Sequence, residues 1–374
     1  GTSELGALQI SEADGGVTFG ETDVDSGPGG TAPVTAIELV GDGVAANAFD
    51  IGVGAADTNV IGGTGIMFNA GAGAGDVLTI ATDGENVRLN GAVTMKSDVT
   101  VTTNAFGAVG TGLANGGNII FTDEATIDSD NGEHHDLILR AGAGSVTFNT
   151  NVGATDSLQS LTVEDTTGGV ADQVIFGGAN MAGSGSDVGP VTLVRTEGDI
   201  NVGRGTDDDD EVDGGIALNA GAGTLTFRTL DAGSVRFNGD VELQSNVVIT
   251  TNGDGNTGTG LTQGGAITFT DVATIDSEAT ETNDLTLRAG TGTITFNADI
   301  GTADATTTTG TRIGDFTIED TTGTVTFGGG NATAMNSETG PVTAVNTDGA
   351  INIGAGTNDD DEVTGGIVLN AGAG

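Results

Sequence analysis

The feature that most constrains this chain is a long internal repeat. Residues 116–153 and 264–301 align without gaps at an offset of 148 (264 − 116 = 148), and 23 of the 38 aligned positions are identical. Self-similarity at a fixed period is the mark of a repeat architecture. The repeat divides the chain into a diverged partial copy at residues 1–115, a complete copy at 116–263 and a partial copy at 264–374. We expect the three parts to form one continuous solenoid. The end in mid-repeat suggests that the natural protein continues, or that only part of it is ordered.

Two further matches give the length of the repeating unit. The hexapeptide at 163–168 returns at 318–323, an offset of 155 that implies a short insertion in the later copy. The decapeptide at 214–223 returns at 365–374 with an offset of 151. The repeating unit is therefore about 150 residues long, which is the size of an ordinary domain.

Within each copy, short segments alternate apolar and polar residues. Examples are Ile267-Thr-Phe-Thr, Ile294-Thr-Phe-Asn and Val325-Thr-Phe-Gly, separated by turns rich in Gly and Thr. An apolar period of two predicts strands with one buried face. These strand-and-corner units recur about every 18–22 residues, and no window shows a helical period. The pattern predicts an all-β protein.

Composition favours a narrow core. The chain has 13 Phe but no Trp, Tyr or Cys, and its apolar residues are mainly small or β-branched. Such side chains fill the interior of a β-solenoid better than a wide core, which draws on large rings. We therefore predict a parallel β-helix built from tandem repeats of about 150 residues. Tandem β-sandwich domains are the main alternative.

Two kinds of polar residue recur where strands end. Asn follows the last inward apolar residue at Asn149 and Asn297, and Asn tolerates the left-handed backbone that a sharp corner requires. Stacked Asn side chains would then hydrogen-bond between successive circuits of the chain. Arg140 and Arg288 occupy equivalent positions after an inward Leu. We expect both to lie at the outer ends of strands and to pair with nearby acids.

The charge balance limits the partners. The chain has 53 Asp and Glu against 9 Lys and Arg, a formal net charge of −44. A polyanion of this size repels nucleic acids and anionic lipids, so we expect neither as a partner. No segment approaches the run of about 18 apolar residues that spans a bilayer, so we expect no membrane insertion of this segment.

The acidic residues also suggest one metal. An acidic run at residues 207–211 returns at 358–362 in the next copy, whereas the corresponding region of the first copy has only Asp57. Ca²⁺ prefers six to eight oxygen ligands, which such a loop could supply. A solvated acidic turn is the alternative. The candidate calcium residues are Asp207, Asp208, Asp209, Asp210, Glu211, Asp359, Asp360, Asp361 and Glu362.

Residues with catalytic chemistry are scarce. The two histidines, His134 and His135, are replaced by Thr282 and Asn283 in the next copy, and Lys96 is the only lysine. A repeat that discards both histidines does not need them for its general role, so we predict solvated loop residues. Without Cys, thiol catalysis is excluded. We assign no catalytic or cofactor-binding residue and expect no enzymatic activity.

The repeats are similar to those of a known family. Residues 285–301, LTLRAGTGTITFNADIG, and residues 316–329, FTIEDTTGTVTFGG, resemble the repeats of filamentous-haemagglutinin-like adhesins, the "beta strand repeat" surface proteins of Gram-negative bacteria. The resemblance covers most of the chain. It implies a right-handed parallel β-helix displayed outside the cell. The amino-terminal secretion domain typical of that family is not recognisable here.

These observations lead to one expected function and two alternatives. We expect an extracellular structural or adhesive protein of a bacterial surface, an adhesin or fibre stalk that binds copies of itself, cell-surface molecules or glycans. The first alternative is a filament or surface-layer subunit whose ends stack head to tail through bare strand edges. The second is a β-helix enzyme acting on carbohydrate, which would need a groove with a non-repeating charged cluster.

Overall fold

The computed structural model of this chain describes its strands and most of the segments that join them between residues 66 and 327. Besides the strands bounded below, the described residues are 69–70, 84–85, 91–92, 96–97, 103–104, 116–118, 122, 125–126, 130, 132–135, 141–145, 149, 152–153, 156, 158–159, 188, 191–192, 197–198, 215, 219–221, 223, 230, 232–234, 239–240, 244–245, 251–253, 262–266, 270–274, 278, 281–284, 289–293, 297–298, 300, 313–315, 319–324 and 350.

The chain divides into two compact units. Unit 1 comprises Gly1–Met181 with Gly189–Glu197. Unit 2 comprises Ala182–Val188 with Gly198–Gly374.

The regular structure described in unit 1 consists of short β-strands. They are β1 (Ala7–Ser11), β2 (Val17–Phe19), β3 (Asp23–Val24), β4 (Ala36–Val40), β5 (Ala48–Gly52), β6 (Ile66–Phe68), β7 (Val77–Thr82), β8 (Asn86–Asn90), β9 (Val93–Met95), β10 (Asp98–Thr102), β11 (Ile119–Phe121), β12 (Ile127–Ser129), β13 (Asp136–Arg140), β14 (Val146–Phe148), β15 (Ser160–Glu164), β16 (Gln173–Phe176) and β17 (Leu193–Thr196).

Unit 2 is built in the same way. Its strands are β18 (Asp199–Gly203), β19 (Ile216–Leu218), β20 (Thr224–Thr229), β21 (Val235–Asn238), β22 (Val241–Leu243), β23 (Asn246–Thr250), β24 (Ile267–Phe269), β25 (Ile275–Ser277), β26 (Leu285–Arg288), β27 (Ile294–Phe296), β28 (Phe316–Ile318), β29 (Val325–Phe327), β30 (Ser337–Thr339), β31 (Ala344–Val345), β32 (Ile351–Ile353) and β33 (Ile367–Leu369).

The strands form three parallel sheets that the chain visits in rotation. In unit 1, sheet A has the order β1-β4-β7-β10-β13-β15-β17, sheet B the order β2-β5-β8-β11-β14-β16 and sheet C the order β3-β6-β9-β12. In unit 2 the corresponding orders are β20-β23-β26-β28-β31 for sheet A, β18-β21-β24-β27-β29-β32 for sheet B, and β19-β22-β25 with the pair β30-β33 for sheet C.

This rotation identifies the architecture. Each circuit through sheets A, B and C, called a rung below, places a strand beside its counterpart from the previous circuit, as β8, β11 and β14 show in sheet B. The prediction of a parallel β-helix is therefore confirmed. Tandem β-sandwiches are wrong, because sandwich sheets pair their strands antiparallel and the described strands pair in parallel.

Rung length departs from the uniform 18–22 residues that the sequence suggested. In sheet A of unit 1, Thr79 aligns with Thr100 (100 − 79 = 21) and Thr100 with Ile138 (138 − 100 = 38). The longer rung contains the connection 103–118 between β10 and β11. The prediction of a constant rung was wrong because strands set the register while the connections between sheets vary in length.

The long repeat reappears at the level of rungs. In sheet A of unit 2, Thr226 aligns with Val248 (248 − 226 = 22), Val248 with Thr286 (286 − 248 = 38) and Thr286 with Thr317 (317 − 286 = 31). The corresponding third step in unit 1, from Ile138, is shorter (162 − 138 = 24). The difference of seven residues (31 − 24 = 7) locates the predicted insertion between β26 and β28.

The interior is filled by the alternate residues of each strand. In the three-residue strands of sheet B, such as β11 and β24, the first and third side chains are buried and the middle one faces outward. The third position carries Phe on consecutive rungs. Parallel strands lie about 4.8 Å apart, which is close to the ring spacing of stacked aromatics.

Two columns of stacked rings result. In unit 1 the rings of Phe121, Phe148 and Phe176 stack with centroids 4.9 and 5.0 Å apart. In unit 2 the column contains Phe237, Phe269, Phe296 and Phe327, with centroid distances of 4.9, 5.1 and 5.1 Å. These seven Phe residues thus line one wall of the core, while Phe68, Phe227 and Phe316 are buried in the other two sheets.

A column of glycines forms the corner between sheets A and B of unit 2. A Cβ added to Gly265 would collide with the carbonyl oxygen of Gly233, one on Gly292 with that of Gly265, and one on Gly323 with that of Gly292. The backbone of each rung therefore packs directly against the backbone of the preceding rung. Only a residue without a side chain fits this spacing.

Candidate functional surface

Three consecutive outward residues of sheet B in unit 2 form an uncharged row. Thr268, Thr295 and Thr326 are the middle residues of β24, β27 and β29, and they align in register. Each is half-buried, so part of its hydroxyl and methyl surface faces outward. These three rungs carry no charge at this position, and Arg236 aligns with Thr268 on the rung before them. The row offers hydroxyls that both donate and accept hydrogen bonds.

Side chains at the starts of strands connect each rung to the next. In unit 1, the Oδ1 of Asn86 accepts the N–H of Asn118 at 2.6 Å, and the Oδ1 of Asn118 accepts the N–H of Ser145 at 2.9 Å. In unit 2, the Oδ1 of Asp284 likewise accepts the N–H of Asp315 at 2.7 Å. These bonds satisfy backbone donors outside the sheet ladders.

Buried polar pairs reinforce the corners. The Thr122 hydroxyl donates to the Oδ1 of Asn90, and that of Thr270 donates to the Oδ1 of Asn238, both at 2.8 Å. Rung-to-rung bonding by corner Asn residues was predicted, but here the partner is Thr. The expected left-handed backbone was wrong, because neither Asn149 nor Asn297 is among the described non-glycine residues with positive φ, which are Ala232 and Asp320. After Asn90 and Asn238 the following glycine takes the positive φ instead, 156° in the case of Gly239.

Other repeated Asn residues differ in their partners. The Nδ2 of Asn219 donates to the Oε1 of Gln244 at 3.1 Å, whereas the Oδ1 of Asn149 is buried without a hydrogen-bond partner. Equivalence in the sequence therefore does not ensure the same side-chain bonding.

Threonine also closes the base of the longest repeated connection. The Thr103 hydroxyl donates to the carbonyl oxygen of Gly117 at 2.6 Å, and the Thr251 hydroxyl donates to that of Gly265 at 2.7 Å. Both threonines are fully buried. Each bond joins the two ends of a connection between sheets A and B, at 103–118 in unit 1 and 251–266 in unit 2.

The two histidines have different surroundings. His134 is exposed, as predicted. The side chain of His135 is only 15% exposed and lies between two carboxylates, with Nε2 3.1 Å from the Oε2 of Glu133 and Nδ1 3.6 Å from the Oδ1 of Asp98. The prediction of a solvated loop residue is wrong for His135. Its partner Asp98 comes from the preceding rung, a contact that local sequence does not reveal.

In the second copy this connection has the same backbone hydrogen bonds but different side chains. Asn283 stands where unit 1 has His135, and its Nδ2 donates to the carbonyl oxygen of Leu243 at 2.7 Å. Its backbone N–H donates to the Oγ of Ser277 at 2.9 Å, as that of His135 donates to the Oγ of Ser129 at 3.1 Å. The connection from sheet C to sheet A therefore has the same backbone bonding in both units.

The repeated arginines lie at the ends of sheet A strands. Arg288, the last residue of β26, donates from Nε to the Oε1 of Glu319 at 2.8 Å and lies 3.7 Å from the Oδ2 of Asp320. Arg140 is likewise the last residue of its strand and aligns with Glu164. The predicted position at strand ends is confirmed. Partly exposed pairs of this kind contribute at most about 1 kcal/mol.

The predicted calcium residues, 207–211 and 359–362, lie outside the described residues. Among the residues that the structure does describe, no group of three or more His, Asp or Glu side chains is arranged to hold a metal ion. The described part of the chain also contains no helix of the length and apolarity needed to cross a bilayer.

Comparison with known proteins adds no relative. No protein-family model, curated protein or solved structure matches the chain.

Proposed function

We propose that this chain is an extracellular structural and adhesive element of a bacterial surface, an adhesin or fibre stalk. The observation that carries the proposal is the repetition of side-chain rows from rung to rung. Stacked Phe rings, and Asn, Asp and Thr side chains that hydrogen-bond from one rung to the next, support the scaffold. Sheet B of unit 2 repeats an outward Thr on three consecutive rungs. A surface that repeats in this way suits a ligand with many weak contact points.

The proposed ligands are neutral groups of cell-surface glycans. Repulsion between the acidic chain and acidic polymers disfavours nucleic acids and anionic lipids. The threonine row formed by Thr268, Thr295 and Thr326 supplies hydroxyls without charge, and a regular spacing of these groups suits a polymer of sugar hydroxyls.

Binding to glycans and cells tests this function. The purified chain should bind intact bacterial or host cells and neutral glycans, and Thr295→Glu should weaken the binding. The matched control is Thr286→Glu, which changes an outward Thr of sheet A in the same unit. An absence of binding to any cell or glycan, or equal losses in both variants, would contradict the adhesive role of this row. Protease treatment of intact producing cells tests the location, because a surface protein is cleaved.

The second candidate is a filament or surface-layer subunit whose copies stack head to tail. Negative-stain images decide between the two: regular polymers support a filament, and single particles support the adhesin.

A further inference from the structure

A buried carboxylate lies at the corner between sheets A and B of unit 1. Glu85 stands directly before β8 and is fully buried. Among the residues that the structure describes, neither of its carboxylate oxygens has a hydrogen-bond partner. Buried charges in proteins are ordinarily paired or bound to a metal ion, because the interior does not replace their hydration. Glu85 is thus a buried anionic group without the partner that such groups ordinarily have.

The sequence around Glu85 supplies no basic residue to pair with it. Residues 1–87 contain 13 Asp and Glu and no Lys, Arg or His. Arg88 is the first basic residue of the chain, and it lies between the buried residues Val87 and Leu89 of β8, so its side chain faces outward. A counter-charge for Glu85 is therefore best supplied from solution, as a metal cation or as a proton.

Two buried threonines at this corner offer oxygen atoms but no hydrogen to the carboxylate. The Thr82 hydroxyl donates to the carbonyl oxygen of Glu85 at 2.7 Å, and the Thr103 hydroxyl donates to that of Gly117 at 2.6 Å. The two threonines lie at the same corner, because the N–H of Gly84 donates to the carbonyl oxygen of Thr103 at 3.0 Å. A hydroxyl that has donated its hydrogen still has two lone pairs. These oxygens suit a cation.

Unit 2 contains the same corner without the carboxylate. Gly233 is the counterpart of Glu85 at the repeat offset (233 − 85 = 148). Its carbonyl oxygen accepts the hydroxyl of Thr229 at 2.5 Å, as that of Glu85 accepts the hydroxyl of Thr82. On the next rung of unit 1 this position is Gly117, where an added Cβ would collide with the carbonyl group of Glu85. The corner therefore forms with glycine, and its backbone does not require the Glu85 side chain.

We propose that Glu85 is the anionic ligand of a monovalent metal cation, Na⁺ or K⁺, bound inside the corner between sheets A and B of unit 1. Charge determines the class of ion. One carboxylate and neutral oxygens balance a single positive charge, whereas a divalent ion would leave a buried charge uncompensated. The hydroxyl oxygens of Thr82 and Thr103 are the neutral ligands nearest in the chain to this carboxylate. This site is separate from the acidic runs predicted to bind calcium.

Thermal unfolding in different chloride salts tests the site. The Tm is measured at neutral pH in NaCl, KCl and choline chloride at equal ionic strength, with EDTA in every sample to remove divalent cations. A ligand that binds only the folded state stabilises it, and choline is too large for a buried corner. The Tm of the wild-type chain should therefore be at least about 2 °C higher in NaCl or KCl than in choline chloride. Equal Tm values in the three salts would overturn the proposal.

Three variants separate this site from the general effect of salt on an acidic chain. Glu85→Gln keeps the shape of the side chain and removes its charge, and Glu85→Gly introduces the residue of unit 2. Both should abolish the difference between the salts. The matched control Glu278→Gln removes an exposed carboxylate and should leave the difference intact.

The outcomes are distinguishable. A difference between the salts that persists in either Glu85 variant, or that disappears in Glu278→Gln, contradicts the site. If Glu85→Gln does not fold, Glu85→Gly still decides, because glycine already occupies this position in the fold of unit 2. A Glu85→Gln chain that is more stable than the wild type in every salt would show that a proton neutralises the carboxyl group, and would also overturn the proposal.

Discussion

The hydroxyl of Thr122 donates a 2.8 Å hydrogen bond to the Oδ1 of Asn90 on the preceding rung, and both side chains are buried. The same pair recurs in unit 2 as Thr270 and Asn238, also at 2.8 Å. A buried amide oxygen needs a donor, because water cannot reach it. This interaction thus makes the corner between sheets B and C dependent on the correct stacking of two rungs.

Thr122→Val keeps the shape of the side chain but removes the donor, leaving the Oδ1 of Asn90 without this bond. We expect the free energy of unfolding to fall by about 1–3 kcal/mol, the cost of an unsatisfied buried group. Denaturant unfolding followed by circular dichroism measures it. Thr147→Val, at a half-buried outward position, is the control and should change the stability by less than about 0.5 kcal/mol. Equal effects of the two variants would contradict this role for the bond.

Gly292→Ala tests the glycine column at the corner of sheets A and B. Alanine usually stabilises a compatible glycine position by about 0.4–1 kcal/mol, but here its Cβ would collide with the carbonyl oxygen of Gly265. We expect instead a loss of about 1–3 kcal/mol, the usual cost of overpacking.

The neighbouring residue supplies the control for that experiment. Thr293 is exposed, so Thr293→Ala should stay within about 0.5 kcal/mol of the wild type. A stabilised Gly292→Ala variant would mean that successive rungs are less closely stacked at this corner.

Phe269→Ala tests the ring column of unit 2. The Phe269 ring stacks on Phe237 at 4.9 Å and on Phe296 at 5.1 Å, and its side chain is buried. Removing it should cost about 3–5 kcal/mol, which includes the cavity left behind. Phe269→Leu fills most of the space and should cost clearly less. If the two substitutions were equally harmful, stacking rather than volume would dominate the contribution of the ring.

Calcium binding by the acidic runs stays a prediction, since residues 207–211 and 359–362 lie outside the described residues. If the loops bind Ca²⁺, a chelator should lower the Tm of the purified chain, because a ligand that binds only the folded state stabilises it. The paired variant Asp208→Asn with Asp360→Asn should lose most of that shift. An unchanged Tm with chelator would show that the runs are solvated acidic turns.

The period of two was sufficient to predict the strands and their buried faces, and the small core residues favoured a parallel β-helix over tandem β-sandwiches. Val325-Thr-Phe alternates as Ile294-Thr-Phe does, and in the structure the two segments pair in register as β29 and β27. The insertion was also predictable, since a change of offset between copies places extra residues in a connection and not in a strand.

Contacts between rungs were less predictable. His135 and Asp98 are separated by 37 residues in the chain (135 − 98 = 37), and their proximity depends on a connection whose length no local pattern gives. Similarly, the ring columns require the Phe residues to align in register on successive strands of sheet B, as Phe148 does with Phe176, although one is the third and the other the fourth residue of its strand. That alignment follows only once the rung boundaries are known.

The hydroxyls of Thr103 and Thr251 have a consequence for how this protein can diversify. Each hydroxyl joins the two ends of its connection through one buried hydrogen bond to a glycine carbonyl. The strands on either side can therefore keep their register when the residues between these two ends change. Longer loops add little closure entropy. These two positions are therefore natural grafting sites, where evolution or an engineer can exchange a displayed peptide without redesigning the core.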